Sequence, residues 1–217
     1  MNIEQARFNM IEQQIRPWDV LDPAVLQLLS LVRREDFMPS NVRHLAFMDT
    51  ELPLGGGRLM LQPKVEARLL QELQLQPTDR VLELGTGSGY LTALLAHQAS
   101  EVLSLEPRAD LAEAARERLR RLGLSRVQVR QADPAQGAAA DGPFDAIVLT
   151  GSLPSTPEAL KAQLKPGGRL LVVEGELPVM RAVLWRCMAP GQFSRRELFD
   201  TVLPRLTGVA EAPSFAF

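Results

Sequence analysis

The spacing of apolar residues changes character along the chain. Before residue 80 it is helical, with apolar residues three and four positions apart. This pattern predicts three helices, over residues 3–15, 24–32 and 63–73. Pro17 ends the first, and Asp22 followed by Pro23 fits the N-cap and first position of the second. Residues 36–62 are too apolar for a linker and too broken for one element, so we expect a functional loop there.

After residue 80, short apolar runs alternate with helical stretches. The runs predict strands at residues 81–84, 102–105, 127–130, 146–150 and 170–173. The stretches between them predict helices at residues 90–98, 109–122 and 157–164. A turn is expected at 166–168, and an antiparallel hairpin with strands at 182–188 and 197–203 ends the pattern. This alternation is typical of a Rossmann-like α/β fold, in which helices cover both faces of a mostly parallel sheet.

Composition limits the function classes. The 217 residues suffice for effectively one domain, in which N-terminal helices and a covering loop (1–78) pack on a core (79–217). A net charge of −2 gives no basic footprint for nucleic acid, and no apolar run is long enough to span a membrane. One cysteine, Cys187, and no secretory pattern predict a cytoplasmic protein. The two isolated histidines predict no metal site.

A glycine-rich stretch follows the first predicted strand. Residues 81–90 read Val-Leu-Glu-Leu-Gly-Thr-Gly-Ser-Gly-Tyr, and a helical pattern begins directly afterwards. Glycine lets the backbone turn sharply and lets a ligand approach the main chain closely. The third glycine comes one position earlier than in a dinucleotide fingerprint, and the stretch resembles the S-adenosylmethionine (SAM) loop of methyltransferases. The residues expected to hold the methionine part of SAM are Glu83, Gly85, Thr86, Gly87, Ser88 and Gly89.

The ends of the next strands carry further candidate ligands, because open α/β sheets bind ligands at the carboxyl ends of their strands. Glu106 ends the second strand, 21 residues after the first glycine, where a carboxylate suits ribose hydroxyls. Ala132 and Asp133 follow the third strand and suit adenine, and Thr150 ends the fourth. Three alternatives stay open: a solvated strand end at Glu106, a turn-forming role for Asp133, and NAD as the cofactor.

Nucleic-acid substrates are disfavoured on two further grounds. The arginines between 116 and 121 share a predicted helix with Glu113 and Glu117, at spacings that favour a solvated, ion-paired face. The residues after the fourth strand also lack the Asn/Asp-Pro-Pro-aromatic pattern of amino-group methylases, and Cys187 lacks the Pro-Cys context of ring-carbon methylases. A carboxylate acceptor is ionised at neutral pH and needs no general base, which suits a site without a histidine or a catalytic dyad.

The chain resembles the protein-L-isoaspartate O-methyltransferase family over nearly its whole length. The segments that carry the resemblance are 34–39 (Arg-Glu-Asp-Phe-Met-Pro), 52–57 (Leu-Pro-Leu-Gly-Gly-Gly), 62–63, 81–90, 143–148, 164–170 and 202–204. The resemblance implies a seven-stranded methyltransferase sheet. It also implies a cytoplasmic repair enzyme that uses SAM, releases S-adenosyl-L-homocysteine (SAH), and esterifies isoaspartyl residues of damaged proteins or peptides.

The chain departs from this family in the loop that the resemblance places at the methyl-transfer site. The family pattern is Gly-x-Gln-Thr-Ile-Ser-x-Pro, whereas residues 56–63 read Gly-Gly-Arg-Leu-Met-Leu-Gln-Pro. Leu61 therefore occupies the catalytic serine position and Leu59 the threonine position, and leucine cannot hydrogen-bond a carboxylate. We hypothesise that Arg58 supplies the carboxylate contact instead. The predicted substrate loop comprises Leu54, Gly55, Gly56, Gly57, Arg58 and Leu59.

Three interpretations follow from this departure. The first is an isoaspartyl carboxyl O-methyltransferase. The second is a SAM-dependent methyltransferase of another acceptor, such as a small molecule, which the apolar residues 59–61 favour. The third is a non-catalytic protein that binds SAM or SAH. The sequence leaves the oligomeric state open.

Overall fold

A seven-stranded sheet forms the centre of the protein in the computed structural model, which describes residues 2–209. A separate two-stranded antiparallel sheet consists of β1 (Leu52–Gly55) and β2 (Arg58–Met60). The strands of the main sheet are β3 (Arg80–Leu84), β4 (Glu101–Glu106), β5 (Val127–Gln131), β6 (Phe144–Leu153), β7 (Leu164–Glu176), β8 (Val179–Ala189) and β9 (Gln192–Asp200). The α-helices are α1 (Ile3–Met10), α2 (Pro23–Leu31), α3 (Pro63–Leu73), α4 (Tyr90–Gln98), α5 (Ala109–Arg121) and α6 (Glu158–Lys161).

The strand order in the main sheet is β5-β4-β3-β6-β7-β8-β9. The first five strands in this order are parallel, and β8 and β9 add an antiparallel hairpin at one edge. From the central β3, the chain runs outward through β4 and β5 and then returns to β6 on the other side. Strand order therefore reverses between β3 and β6, where open α/β sheets bind their ligands. This topology confirms the predicted α/β fold and its C-terminal hairpin.

Alternate residues of the central strands enter two different cores. Val81 and Val148 face a large cluster that also contains apolar residues of α1 to α5. Leu82 and Ile147 face a smaller cluster, which Leu160 of α6 joins. Because both faces are buried, these strands appear in the sequence as unbroken apolar runs. The N-terminal helices thus pack directly on one face of the sheet.

Several element boundaries differ from the sequence-based expectations. The helix predicted over 3–15 begins as α1 and continues to its predicted end as a π-helical segment (Ile11–Ile15), and a separate 3-10 turn (Arg16–Trp18) that contains Pro17 follows it. The irregular stretch 36–62 contains the hairpin of β1 and β2. The helix predicted at 157–164 is shorter in the structure, where it is α6. The turn predicted at 166–168 lies within β7, where the pairing of β7 with β6 shifts register after Phe144.

The chain leaves the sheet after β9 instead of continuing as a strand to residue 203. Ser152 of β6 donates its N–H to Pro204 at 2.8 Å, and Leu206 donates back to Ser152 at 3.0 Å. This C-terminal segment (201–209) therefore runs beside the carboxyl end of β6, which is the ligand-binding edge of the sheet. Among the described residues, no helix is both long and apolar enough to cross a bilayer.

Candidate functional site

The glycine-rich turn between β3 and α4 forms the floor of the candidate site. Gly85, Gly87 and Gly89 have φ values of +102°, +53° and +85°, in the left-handed region that favours glycine. A Cβ on Gly85 would lie 2.2 Å from the Thr150 hydroxyl oxygen, so the end of β6 packs directly against this backbone. The Thr150 hydroxyl donates to the Gly85 carbonyl oxygen at 2.6 Å. Strands β3 and β6 are thereby joined at the reversal of strand order.

Glu83 lies fully buried beneath this turn. One of its carboxyl oxygens, Oε2, accepts hydrogen bonds from Thr92 of α4 at 2.5 Å and Ser104 of β4 at 2.6 Å. The other, Oε1, has no hydrogen-bond partner within residues 2–209. Burial raises the pKa of Glu83 to about 8, and the nearby charge of Glu106 adds to the rise. The carboxyl group is therefore mostly neutral at pH 7 and ties the turn to its neighbours.

Two other loop residues make contacts within the protein. The Thr86 and Ser104 hydroxyl oxygens lie 2.5 Å apart, so Thr86 joins the network of Glu83. Ser88 accepts the N–H of Tyr90 at 3.2 Å, in the first turn of α4. Both Thr86 and Ser88 are buried. The hydroxyl groups of Thr86 and Ser88 thus fix the shape of the turn. The groups of this turn that can contact a ligand are therefore those of its main chain.

Glu106 connects the glycine-rich turn to the start of α5. Its Oε2 accepts the N–H of Gly87 at 2.9 Å, and its Oε1 accepts the N–H of Arg108 at 3.1 Å. Each carboxylate oxygen can accept a second hydrogen bond. The arrangement fits a ribose, whose two hydroxyl groups are donors, at the strand end where one was expected.

The end of β5 lies next to this corner. The Ala132 N–H donates to the Glu106 carbonyl oxygen at 3.2 Å, so it is engaged within the protein. Asp133 accepts the N–H of Ala135 at 2.9 Å, as the cap of a 3-10 turn. A Cβ on Gly208 would lie 2.4 Å from Asp133 Oδ1, so the C-terminal segment packs against this carboxylate. Asp133 therefore has the turn-forming role considered above.

The hairpin of β1 and β2 covers the glycine-rich turn from the other side. The Leu54 side chain lies 3.5 Å from the position of a Cβ on Gly87. Arg108 Nη1 donates to the Gly55 carbonyl oxygen at 2.6 Å. The predicted substrate loop and the predicted cofactor residues are thus brought into direct contact.

Leu61 directly follows the last residue of β2 and is buried, with 4% of its surface exposed. Its carbonyl oxygen accepts a hydrogen bond from Arg34 Nη2 at 2.6 Å, while Arg34 Nε donates to Ala46 at 3.1 Å. Arg34 is buried as well, pairs with Glu66 and lies over the Tyr90 ring. The backbone at the family's serine position is therefore held by a buried arginine, independently of the side chain at 61.

A cavity of about 40 Å³ lies between the hairpin and the C-terminal segment. Its lining includes the two leucines 59 and 61, backbone of the glycine-rich turn, and the cations Arg58 and Arg205. Arg205 pairs with Glu176, whereas no carboxylate among residues 2–209 pairs with the half-buried Arg58. A volume of this size holds a small group such as a carboxylate and excludes a bulky one.

The cofactor side of the site carries orphaned polar atoms. Six buried side-chain polar atoms within residues 2–209 lack a hydrogen-bond partner, and two of them, Glu83 Oε1 and Thr207 Oγ1, belong to β3 and the C-terminal segment at this edge. Buried polar groups are generally paired, so two such atoms near one edge of a sheet fit a polar ligand there. With Glu106 at the ribose position, the residues present fit SAM.

Sequence reasoning missed three contributors. Arg34 and Arg108 act through contacts 27 and 53 residues away along the chain, which no local pattern reveals. Ser104 is a polar residue inside an apolar strand run, and that anomaly was the available signal. Arginines 116, 120 and 121 instead pair with Glu113 and Glu117, as expected for a solvated helix face, whereas Arg118 departs from that expectation and donates to the Ser88 carbonyl oxygen at 3.3 Å.

Comparisons with known proteins place this site in a family. Residues 5–184 match the family model described as protein-L-isoaspartate(D-aspartate) O-methyltransferase. A protein-L-isoaspartate O-methyltransferase of Yersinia enterocolitica is 44% identical over 170 residues, which cover 78% of this chain and 82% of that protein. One from Rhodopseudomonas palustris is 40% identical over 200 residues, 92% of each chain.

Solved structures share the fold. A protein-L-isoaspartate O-methyltransferase structure superposes with a TM-score of 0.80 at 24% identity, over 93% of this chain and 66% of that one. A Plasmodium falciparum crystal structure assigned to the same enzyme class, in complex with SAH, gives a TM-score of 0.78 at 22% identity. The superposition covers 95% of this chain and 99% of that one. With the family match across most of its length and relatives above 40% identity, this chain belongs to the protein-L-isoaspartate(D-aspartate) O-methyltransferase family.

Proposed function

We propose that this protein transfers a methyl group from SAM to the free carboxylate of isoaspartyl residues in damaged proteins or peptides. The observation that carries the proposal is the small cavity beside the glycine-rich turn, whose lining Arg58 shares with Gly85 and Gly87 and where no carboxylate within residues 2–209 pairs with Arg58. The single free cysteine, Cys187, supports a reducing compartment such as the cytoplasm as its location.

The binding roles follow from the positions of the residues. Main-chain groups of the turn from Gly85 to Gly89 line the methionine part, the Glu106 carboxylate accepts from the ribose, and the Asp133 region contacts adenine. When bound, SAM supplies an electrophilic methyl group. Thr150 holds the turn at the point where this group meets the acceptor.

The protein's task at the acceptor is alignment and desolvation. A carboxylate is already ionised at neutral pH, so no residue has to remove a proton. Arg58 orients the acceptor carboxylate with a charge-assisted hydrogen bond and takes the place of the family's serine contact. Leu59 and Leu61 exclude water from the reacting atoms.

Methyl transfer from labelled SAM to an isoaspartyl peptide tests the proposal, with the matching aspartyl peptide as the control acceptor. We expect transfer to the isoaspartyl peptide alone. Arg58→Gln should raise KM for the peptide by about tenfold, because one charge-assisted hydrogen bond is lost. The matched control is Arg33→Gln, which removes an exposed arginine outside the cavity lining. Unchanged peptide KM in Arg58→Gln would refute the role of Arg58.

A second candidate function is methylation of a small-molecule carboxylate. The apolar lining by Leu59 and Leu61 favours it, since neither side chain offers a hydrogen bond to a peptide group. Transfer to a panel of small carboxylic acids, without transfer to the isoaspartyl peptide, would select this function. Tight SAM or SAH binding without transfer to either acceptor class would instead indicate a binding protein.

A further inference from the structure

Arg108 joins the cofactor corner to the hairpin of β1 and β2. Its backbone N–H donates to Glu106 Oε1 at 3.1 Å, and its side-chain Nη1 donates to the Gly55 carbonyl oxygen at 2.6 Å. Glu106 in turn holds the glycine-rich turn through the N–H of Gly87 at 2.9 Å. One residue thus connects the ribose position with the acceptor loop.

The hairpin backbone is shaped to receive this side chain. A Cβ on Gly56 would lie 1.8 Å from Arg108 Nη1, so the guanidinium lies directly against the Gly56 backbone. Gly55 and Gly56 have φ values of +91° and +55°. The left-handed backbone at both positions favours glycine, and the absence of a side chain at 56 leaves room for the guanidinium.

Asp110 fixes the guanidinium from the opposite side. It accepts from Arg108 Nε at 2.9 Å and also from Nη2. This hydrogen bonding raises the pKa of Arg108 and lowers that of Asp110. The two parallel bonds hold the arginine in one orientation, which leaves Nη1 for the hairpin.

We propose that Arg108 is a positioning residue that latches the hairpin over the bound cofactor, and that opening of this latch limits SAH release. The hairpin covers the glycine-rich turn through Leu54, while Leu206 of the C-terminal segment packs on Gly151 at the other side. A cofactor held at Glu106 is therefore enclosed, and its exchange requires one covering segment to move. Release of product through such a lid limits the turnover of many enzymes.

The test measures the SAH dissociation rate of full-length protein by displacement with excess SAM. Arg108→Ala should release SAH about tenfold faster, the effect of losing one charge-assisted hydrogen bond. Backbone amides of residues 52–60 should exchange their hydrogens faster, while the melting temperature in the absence of ligand stays close to that of the wild type. Asp110→Asn should give a smaller change of the same sign.

Arg120→Ala is the matched control, since it removes an arginine from the same helix whose side chain, within residues 2–209, pairs only with Glu117. It should leave SAH release unchanged. Unchanged SAH release and hairpin exchange in folded Arg108→Ala, or equal effects in the two variants, would overturn the latch. The proposal depends on cofactor binding and not on the acceptor, so a failed peptide assay leaves this test intact.

Discussion

Replacing Glu83 with glutamine should remove most of a pH dependence from the stability of this protein. The amide is a neutral isostere whose oxygen can still accept from Thr92 and Ser104. In the wild type the carboxyl group is fully buried, and only one of its oxygens is hydrogen-bonded within residues 2–209. Ionisation there places a charge among few donors, so Glu83→Gln resembles the protonated state.

The direction follows from the two pKa values. Burial raises the pKa of Glu83 from 4.5 to about 8 in the folded protein, so the folded state retains a proton that the unfolded state loses. Stability from this group is fully present below the unfolded pKa and declines as pH rises from 4.5 to about 8. The linkage relation gives a loss of roughly 2–4 kcal/mol in the free energy of unfolding between pH 5 and pH 8.

Urea denaturation of both proteins from pH 5 to pH 9 measures this effect. The difference in unfolding free energy between Glu83→Gln and wild type should grow in favour of the variant as pH rises. Glu113→Gln is a suitable control, because the Glu113 side chain is 75% exposed in the folded protein. Parallel pH profiles for Glu83→Gln and wild type would refute the argument, and so would a difference that shrinks as pH rises.

Three further substitutions test other parts of the site. Glu106→Gln should weaken SAM binding at least about tenfold by calorimetry. Both oxygens of Glu106 accept a backbone N–H, so the amide NH₂ of glutamine would place a donor against one of these donors. Leu61→Ser should lower the free energy of unfolding by about 2–4 kcal/mol in urea, because a buried apolar side chain is lost. Glu66→Gln should cost about 3–5 kcal/mol, because the buried Arg34 loses its partner. An urea midpoint like that of the wild type in either of the last two would contradict the burial argument.

The parts of the fold that sequence could predict are those fixed by short-range patterns. The strand, turn and helix around the glycine-rich stretch were located because an apolar run, glycines and a helical period follow one another within 18 residues, from 81 to 98. Asp22 and Pro23 gave the start of α2 for the same reason, since N-caps act on neighbouring residues. These elements were predicted within one or two residues of their observed ends.

Features that depend on long-range contacts were not predictable. The side chain of Arg108 reaches a carbonyl 53 residues away, and the hairpin that it holds has strands too short for a period to appear. The helix predicted at 157–164 ended early because its last residues join the sheet beside β6. The sequence indicated which residues are chemically able to bind a cofactor, but tertiary packing decided that Thr86 and Ser88 serve the turn itself.

The two halves of the site are held by separate means, and this separation makes the leucine at 61 compatible with an active enzyme. The cofactor half is fixed by Glu83 and Glu106, which bind backbone and hydroxyl groups of the core. In the acceptor half, Arg34 holds the carbonyl oxygen of residue 61 whatever its side chain, so the path of the loop does not depend on a serine. Polarity lost at 61 reappears on the same cavity at Arg58. A change of acceptor contact at 58–61 can therefore occur without disturbing the cofactor half, because within the described residues none of these four side chains hydrogen-bonds to Glu83 or Glu106.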